Sequence, residues 1–143
     1  MSTQPSFVSV PHIEATKLYA TASASLPADT TTYVDLFTGS SSGSLVRAIN
    51  VTTDSAVAVT VKFALGIGTN TYPIGTVDIP AGAGMSAGVP ALNLCDPVFI
   101  PIMEPIPNRG FHLTSGAKLQ VSLPTAVLAT DKNMYITVLG GDF

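Results

Sequence analysis

The stretch from Ser55 to Leu65 (SAVAVTVKFAL) constrains the fold more than any other part of the chain. Apolar residues alternate in it with small or polar ones. One side of an extended chain would carry Val57, Val59, Val61, Phe63 and Leu65. The other side would carry Ala58, Thr60, Lys62 and Ala64. A repeat of two residues is typical of a strand and not of a helix. We therefore predict a central strand with its first face in a core and its second face towards solvent or a neighbouring subunit.

Other short segments have the same character and are separated by glycine-, serine- and proline-rich turns. They are Thr31–Thr38, Leu45–Thr52, Tyr72–Ile79, Phe111–Leu113, Lys118–Leu123 and Asn133–Leu139. No segment shows a helical repeat of ten or more residues; a single helical turn is predicted at Ala91–Leu94, with Pro90 at its first position. This pattern predicts an all-β fold, an antiparallel β-sandwich or jelly roll.

The strand patterns also predict which side chains face the core. Inward-facing residues are expected to be Leu45, Ile49, Val51, Leu119, Val121, Leu123, Met134, Ile136 and Val138. Arg47 interrupts the first of these faces, so we expect it at a sheet edge or paired with an acid. Pro73 cannot donate a ladder hydrogen bond, and its strand is expected to begin at an edge or a bulge.

The first 30 residues lack a sustained repeat, and we divide the single domain into residues 1–30, an N-terminal arm with a first strand, and residues 31–143, the sandwich. Spaced apolar residues within Gln4–Ile13 predict an extended arm anchored outside its own core. The alternatives are a frayed terminus or a first strand at Phe7–Val10. The proline-rich segment Val89–Ile106 is expected to be buried or interfacial.

Composition bears on partners and compartment. Charged residues are only 10% of the 143-residue chain, against about 25% in typical domains, which favours a surface covered by other subunits. A small, neutral, secreted β domain is the alternative. Six basic residues are scattered singly, so no nucleic-acid site is predicted. No apolar run approaches the roughly 20 residues of a membrane span, and no signal peptide is evident at the start. The lone Cys95 is expected to be a buried, core-like thiol.

Two glycine-rich runs match the residue pattern of a catalytic or nucleotide-binding motif but lack the structural context that the motif requires. Gly39–Gly43 matches the G-x-S-x-G nucleophile motif with Ser41 as nucleophile, but a strand follows where that motif requires a helix. Gly82–Ala87 matches a dinucleotide-binding pattern, but Pro90 prevents the helix that would bind a pyrophosphate. We predict no catalytic residue and no cofactor.

No metal site is predicted either. His12 and His112 have no second ligand at metal-binding spacing, and zinc needs three or four protein ligands. Asp131 and Asp142 are candidate calcium ligands, yet isolated acids on turns are usually solvated. The glycosylation pattern at Asn50–Thr52 falls within a predicted strand and matters only in a secreted protein.

The C-terminal third has a more specific pattern. Pro107–Leu123 contains a glycine turn followed by Lys118-Leu-Gln-Val121, and an alternating strand from Asn133 ends in Gly-Gly-Asp-Phe143. This part resembles small β-sandwich structural proteins of tailed bacteriophages and prophages. The resemblance covers a quarter to a third of the chain and carries over no set of functional residues.

What the resemblance implies is a non-enzymatic virion component, made in the bacterial cytoplasm. The first expectation is a capsid decoration (cement) protein that binds the major capsid protein or other virion proteins as a homo-oligomer, with a trimer favoured. A tail or head–tail accessory protein, or a receptor- or carbohydrate-binding module, is the alternative. No nucleic acid or membrane is expected as a partner. The predicted interface residues are Phe7, Val8, Val10, Ile13, Val98, Phe99, Ile100, Ile102 and Met103.

Overall fold

A computed structural model describes residues 10–19, 33–95, 110–122 and 133–143. These residues form strands and turns, without a helix. The strands in chain order are β1 (Val10–Tyr19), β2 (Val34–Thr38), β3 (Ser44–Thr53), β4 (Val59–Ile67), β5 (Asn70–Ile79), β6 (Leu92–Asn93), β7 (Phe111–Leu113), β8 (Lys118–Ser122) and β9 (Asn133–Asp142).

The strands form two antiparallel sheets. Sheet A has the order β1-β9-β3, with both β6 and β7 pairing with the far side of β3. Sheet B has the order β2-β8-β4-β5. When β6 and β7 are counted as one strand position, the first strand lies beside the last and the second beside the next to last, which is the strand order of a jelly roll. The predicted all-β sandwich is therefore confirmed.

A single apolar core fills the space between the sheets. Its largest fully buried side chains include Phe37, Leu36, Phe63, Leu119, Ile49, Ile79, Met134 and Ile136. Alternation places most of them there, because every second residue of a strand points to the same side. Leu36 and Phe37 are adjacent and both buried, because the register of β2 with β8 shifts between Asp35 and Phe37. The predicted inward faces of β4 at Val59, Val61 and Phe63, of β8, and of β9 are confirmed in the described residues.

The central strand begins later than the sequence predicts. Val57 was expected in the core, but it precedes β4 and is 58% exposed. The Ser55 hydroxyl donates to the carbonyl of Val57 at 2.8 Å and lies 3.3 Å from its amide nitrogen. This local side-chain turn competes with strand pairing, so the ladder starts at Val59.

A bulge in β3 overturns the prediction for Arg47 and Leu45. The pairing of β3 with β9 runs from Val46 opposite Gly140 to Ala48 opposite Leu139, so Arg47 is the extra residue. The bulge reverses the alternation there: Val46 is buried, Leu45 is only half-buried on the outer side, and Arg47 is exposed. Arg47 therefore lies in a bulge of an interior strand, neither at an edge nor in a described ion pair.

The predicted helical turn at Ala91–Leu94 is wrong, whereas the expectation for Pro73 is confirmed. Leu92 and Asn93 form β6 against β3, and the Asn93 side-chain oxygen accepts the amide of Ile49 at 3.2 Å. Pro73 lies in β5, which pairs only with β4 among the described strands, and the register shifts beside it.

Candidate interaction surface

The structure describes two of the nine predicted interface residues. Val10 and Ile13 lie in β1 and are 55% and 63% exposed. Because β1 pairs with β9, the segment that we assigned to the arm belongs to sheet A from Val10 onwards. Phe7, Val8, Val98, Phe99, Ile100, Ile102 and Met103 lie outside the described residues. That any of the nine contacts a partner remains a prediction.

The outer face of sheet A carries an exposed apolar row. Ile13 of β1 lies directly opposite Leu139 of β9, which lies opposite Ala48 of β3. Leu139 is 38% exposed. The neighbouring row, Pro11, Gly141 and Leu45, is also without charge. Side chains in directly opposed positions touch across strands, so these residues form one continuous apolar surface, which we call the sheet A pad.

Polar residues border the sheet A pad towards the far end of the strands. Thr137 and Asn50 form the next row with Ala15. In the row after that, the Lys17 ammonium lies 5.6 Å from the centre of the Tyr135 ring. An apolar centre with a polar border is the arrangement of a protein–protein contact surface.

The outer face of sheet B has the opposite character. Asp35 of β2 accepts hydrogen bonds from Lys118 at 2.6 Å and from the Gln120 amide at 2.7 Å, both on β8. The Gln120 carbonyl oxygen in turn accepts the hydroxyl of Thr71 on β5 at 3.2 Å. We call this chain of hydrogen bonds across the sheet the polar ladder. Its hydrogen bonds are exposed, and its polar and charged groups suit a surface that faces solvent.

A glycine makes room for the polar ladder. Gln120 belongs to β8 and Thr71 to β5, and β4 lies between these two strands. The Gln120 side chain must therefore cross β4 to reach Thr71. At this point of β4, Gly66 pairs with Lys118 on one side and with Thr71 on the other. A Cβ at Gly66 would lie 2.9 Å from the Gln120 amide group. The absence of a side chain at Gly66 therefore leaves the space that the Gln120 side chain occupies. Ala64, two residues earlier on the same outer face, is fully buried.

The charges of the polar ladder lower the pKa of Asp35. Partial burial acts to raise it, but the hydrogen bonds from Lys118 and Gln120, together with the positive charge of Lys118, outweigh that effect. The Asp35 carboxylate is thus held in its charged form.

One edge strand of each sheet contains a proline, which limits pairing at that edge. Pro11 lies in β1, which pairs only with β9 in the described part of the chain, and Pro73 lies in β5. Proline has no amide hydrogen to give to an added strand, and it is one of the devices that protect sheet edges from association. Pairing of an added strand with β1 or β5 is therefore disfavoured.

A cluster of polar side chains connects β1 of sheet A to its neighbour β9 and to β2 of sheet B, at one end of the sandwich. The His12 ring nitrogens lie 2.9 Å from Asp142 on β9 and 2.9 Å from Glu14. Glu14 accepts the backbone amide of Thr38 on β2 at 3.2 Å, and the His12 ring lies 4.3 Å from the ring of Phe37. Both nitrogens of His12 therefore face carboxylates, as in a structural contact between strands.

Asp142, considered above as a calcium ligand, belongs to the same cluster. The hydroxyl of buried Ser44 donates a hydrogen bond to the Asp142 carboxylate. This hydrogen bond lowers the pKa of Asp142. Burial acts to raise that pKa, and the interaction with His12 lowers it further. The last strand is thus joined to β3 and β1 through side chains as well as backbone.

The remaining motif residues take structural roles. Gly39–Gly43 forms a turn, in which the Ser40 hydroxyl donates to the Gly43 carbonyl at 2.8 Å, and β3 follows. Gly82 and Gly84 have positive φ in a loop that is not followed by a helix. His112 stacks on Phe143 with ring centres 5.4 Å apart. Cys95 is fully buried, which favours the core-like thiol over a nucleophile.

The described residues contain no candidate for two other kinds of site. The described residues include no group of three or more His, Cys, Asp or Glu side chains able to hold a metal ion. They also contain no helix long and apolar enough to cross a membrane.

Comparisons with known proteins add little. No protein-family model matches the sequence, and no curated protein matches it. Among solved structures, the VP2 subviral particle of infectious bursal disease virus matches at a TM-score of 0.30 and 13% identity, over 98% of this chain and 35% of that one. The chain thus spans about a third of the length of that protein. A TM-score this low supports no conclusion, and the fold assignment depends on the strand order alone.

Sequence reasoning missed Leu139 and Arg47 as surface candidates. For Leu139 the signal was present, because Met134, Ile136 and Val138 face inward and the next residue must face outward. For Arg47 the signal was a charge inside an apolar strand, which we interpreted as an edge position. Only the register shows that both residues lie on the face that contains Ile13.

Proposed function

We propose that this chain is a non-enzymatic structural component of a bacteriophage virion, and specifically a decoration protein that binds the capsid shell. The observation that carries the proposal is the difference between the two outer faces. The sheet A pad exposes Ile13 beside Leu139, whereas the polar ladder occupies sheet B. One face suits contact with protein and the other suits contact with water.

Two further observations support the proposal. Jelly rolls are used by viral capsid proteins, although also by lectins and cupins, so the fold alone does not select a function. The C-terminal pattern from Pro107 to Phe143 resembles phage structural proteins. The low charged fraction, 10%, is in keeping with a surface that is partly covered in an assembly.

The size of the sheet A pad indicates repeated, individually weak contacts. Fully burying an exposed Ile or Leu contributes about 1.5–3 kcal/mol, and Ile13 and Leu139 are only partly exposed. Their burial therefore contributes on the order of 2 kcal/mol per subunit. A contact of this strength becomes stable when linked copies bind together, because the later binding events are intramolecular. This supports the expected homo-oligomer, with a trimer favoured.

The proposal is tested by adding purified protein to capsid shells that lack it, taken from the phage that encodes it. Sedimentation of the shells measures binding, and light scattering measures the mass of the free protein. We expect saturable binding at a fixed number of copies per shell and a free oligomer larger than a monomer. A monomer that stays in solution at every shell concentration would contradict the decoration role.

The alternative is a tail accessory or receptor-binding protein. It is favoured by Tyr72, which is 50% exposed beside the tip of the β4–β5 hairpin, because exposed aromatic residues are common at recognition surfaces. Binding to phage tails or to a glycan array, without binding to capsid shells, would support this alternative.

A further inference from the structure

The sheet A outer face differs from the whole chain in its charge. The chain has a net charge of −3, yet the described outward-facing residues of sheet A include Lys17 and Arg47 and no acid. The described acids lie elsewhere. Glu14 and Asp142 face the space between the sheets, Asp35 and Asp78 lie on sheet B, and Asp54 follows β3 and accepts the backbone amide of Asn133. This face is therefore apolar and cationic on an acidic protein.

Arg47 is placed for contact with another molecule. The bulge inserts it between Val46 and Ala48, beside the sheet A pad, and it is exposed. In the described part of the chain no hydrogen bond or ion pair involves its guanidinium. Bulges re-aim side chains and are frequent beside functional sites, and the planar guanidinium suits two-point binding of a carboxylate.

No acid among the described residues faces this surface, so a partner that covers it would have to supply the carboxylate for Arg47. An arginine that is covered without an acidic partner loses its hydration without compensation. The same face of a second copy brings Lys17 and Arg47 but no described acid. We infer that the outer face of sheet A docks onto a different protein, whose surface has an apolar centre and a carboxylate that pairs with Arg47. This inference depends on the proposed function, because it specifies the chemistry of the shell surface that this protein would bind.

The test measures binding to capsid shells that lack this protein, at about 50 and 200 mM salt, where screening of exposed charges differs. Arg47→Glu is compared with wild type and with Lys62→Glu, a matched reversal on the outer face of sheet B. We expect Arg47→Glu to weaken binding at least about 10-fold at low salt, since a mismatched charge pair costs well over 1 kcal/mol. Lys62→Glu is expected to change it less than about 2-fold, as rim or distant charges do.

Thermal unfolding of each variant verifies folding, and Arg47→Gln replaces Arg47→Glu if the latter is unfolded. Equal binding by wild type and the Arg47 variant would overturn the inference while leaving the decoration role intact. Failure of the wild type itself to bind shells would contradict the proposed function. A free oligomer that dissociates on Ile13→Asp would identify a second copy as the occupant of this face and would also overturn the inference.

Discussion

The outer faces of the two sheets are both built from antiparallel strands, yet they differ in how their side chains are satisfied. On sheet B, Asp35, Gln120 and Thr71 bind one another across four strands. On sheet A, Ile13 and Leu139 meet at the surface with no polar group between them. The proposed function accounts for this difference, with sheet B facing water and sheet A facing a partner.

The two faces also differ in the glycines beneath them. Gly66 in sheet B leaves space for a flexible side chain, Gln120, whereas Gly140 in sheet A lies against the backbone carbonyl of Leu45 at the β3 bulge. The chain can therefore accommodate a Cβ at position 66 by moving the end of Gln120, whereas a Cβ at position 140 would meet backbone that is fixed in the β3–β9 ladder.

The largest expected effect is on the free energy of unfolding when each of these glycines is replaced by alanine. Gly140→Ala places a Cβ against the Leu45 carbonyl, which cannot move without shifting β3, and we expect it to lower the free energy of unfolding by about 2–4 kcal/mol. Gly66→Ala displaces only the end of Gln120 and is expected to cost less than about 1 kcal/mol. Urea unfolding of both variants measures the difference. Equal losses would show that sheet A is no more tightly packed at this point than sheet B.

The next effect concerns binding. The double variant Ile13→Thr/Leu139→Thr keeps strand-forming residues but removes the apolar row. We expect it to weaken binding to capsid shells by roughly 10- to 30-fold, equivalent to about 2 kcal/mol. Its free energy of unfolding is expected to change by less than about 1 kcal/mol, since both side chains lie on the outer face. Gln120→Ala on the polar ladder is the matched control, and shell binding by this control should equal that of wild type.

The smallest effect is the pH dependence of the polar ladder. The pKa of Asp35 is lowered in the folded state, so its contribution to stability is complete above the ordinary aspartate pKa of about 3.9 and is lost as the pH falls through the lower folded value. The difference in unfolding free energy between wild type and Asp35→Asn should be constant from pH 7 to about pH 5 and shrink below about pH 4. Asp35 is largely exposed, so the difference at pH 7 is at most about 1 kcal/mol. A difference that grows on acidification would have the wrong sign for a ladder that binds charged Asp35.

Alternation along the sequence was sufficient to predict the fold and most of the core. Val59, Val61 and Phe63 face inward because their strand pairs regularly with β5 from Val59 to Phe63. The same logic failed at Leu45 because one inserted residue reverses every face that follows it. Residue type alone does not reveal a bulge, since any residue can occupy the extra position.

The candidate surface was only partly accessible to sequence reasoning. Ile13 was predicted as an interface residue from its apolar character in a segment with few charges. Its contact with Leu139 depends on the first strand pairing with the last, and no local pattern contains that information. The polar ladder was equally hidden, because Asp35, Gln120 and Thr71 are distant in sequence and meet only through the order of strands in sheet B.

The most direct test of the central claim is side-chain footprinting by hydroxyl radicals, on the free protein and on protein bound to capsid shells, read by mass spectrometry. The account predicts that oxidation of Ile13 and Leu139 falls on binding, while oxidation of Tyr72, at the edge of sheet B, is unchanged. Protection of Tyr72 with undiminished oxidation of Ile13 and Leu139 would contradict it, because sheet B would then be the face that meets the partner.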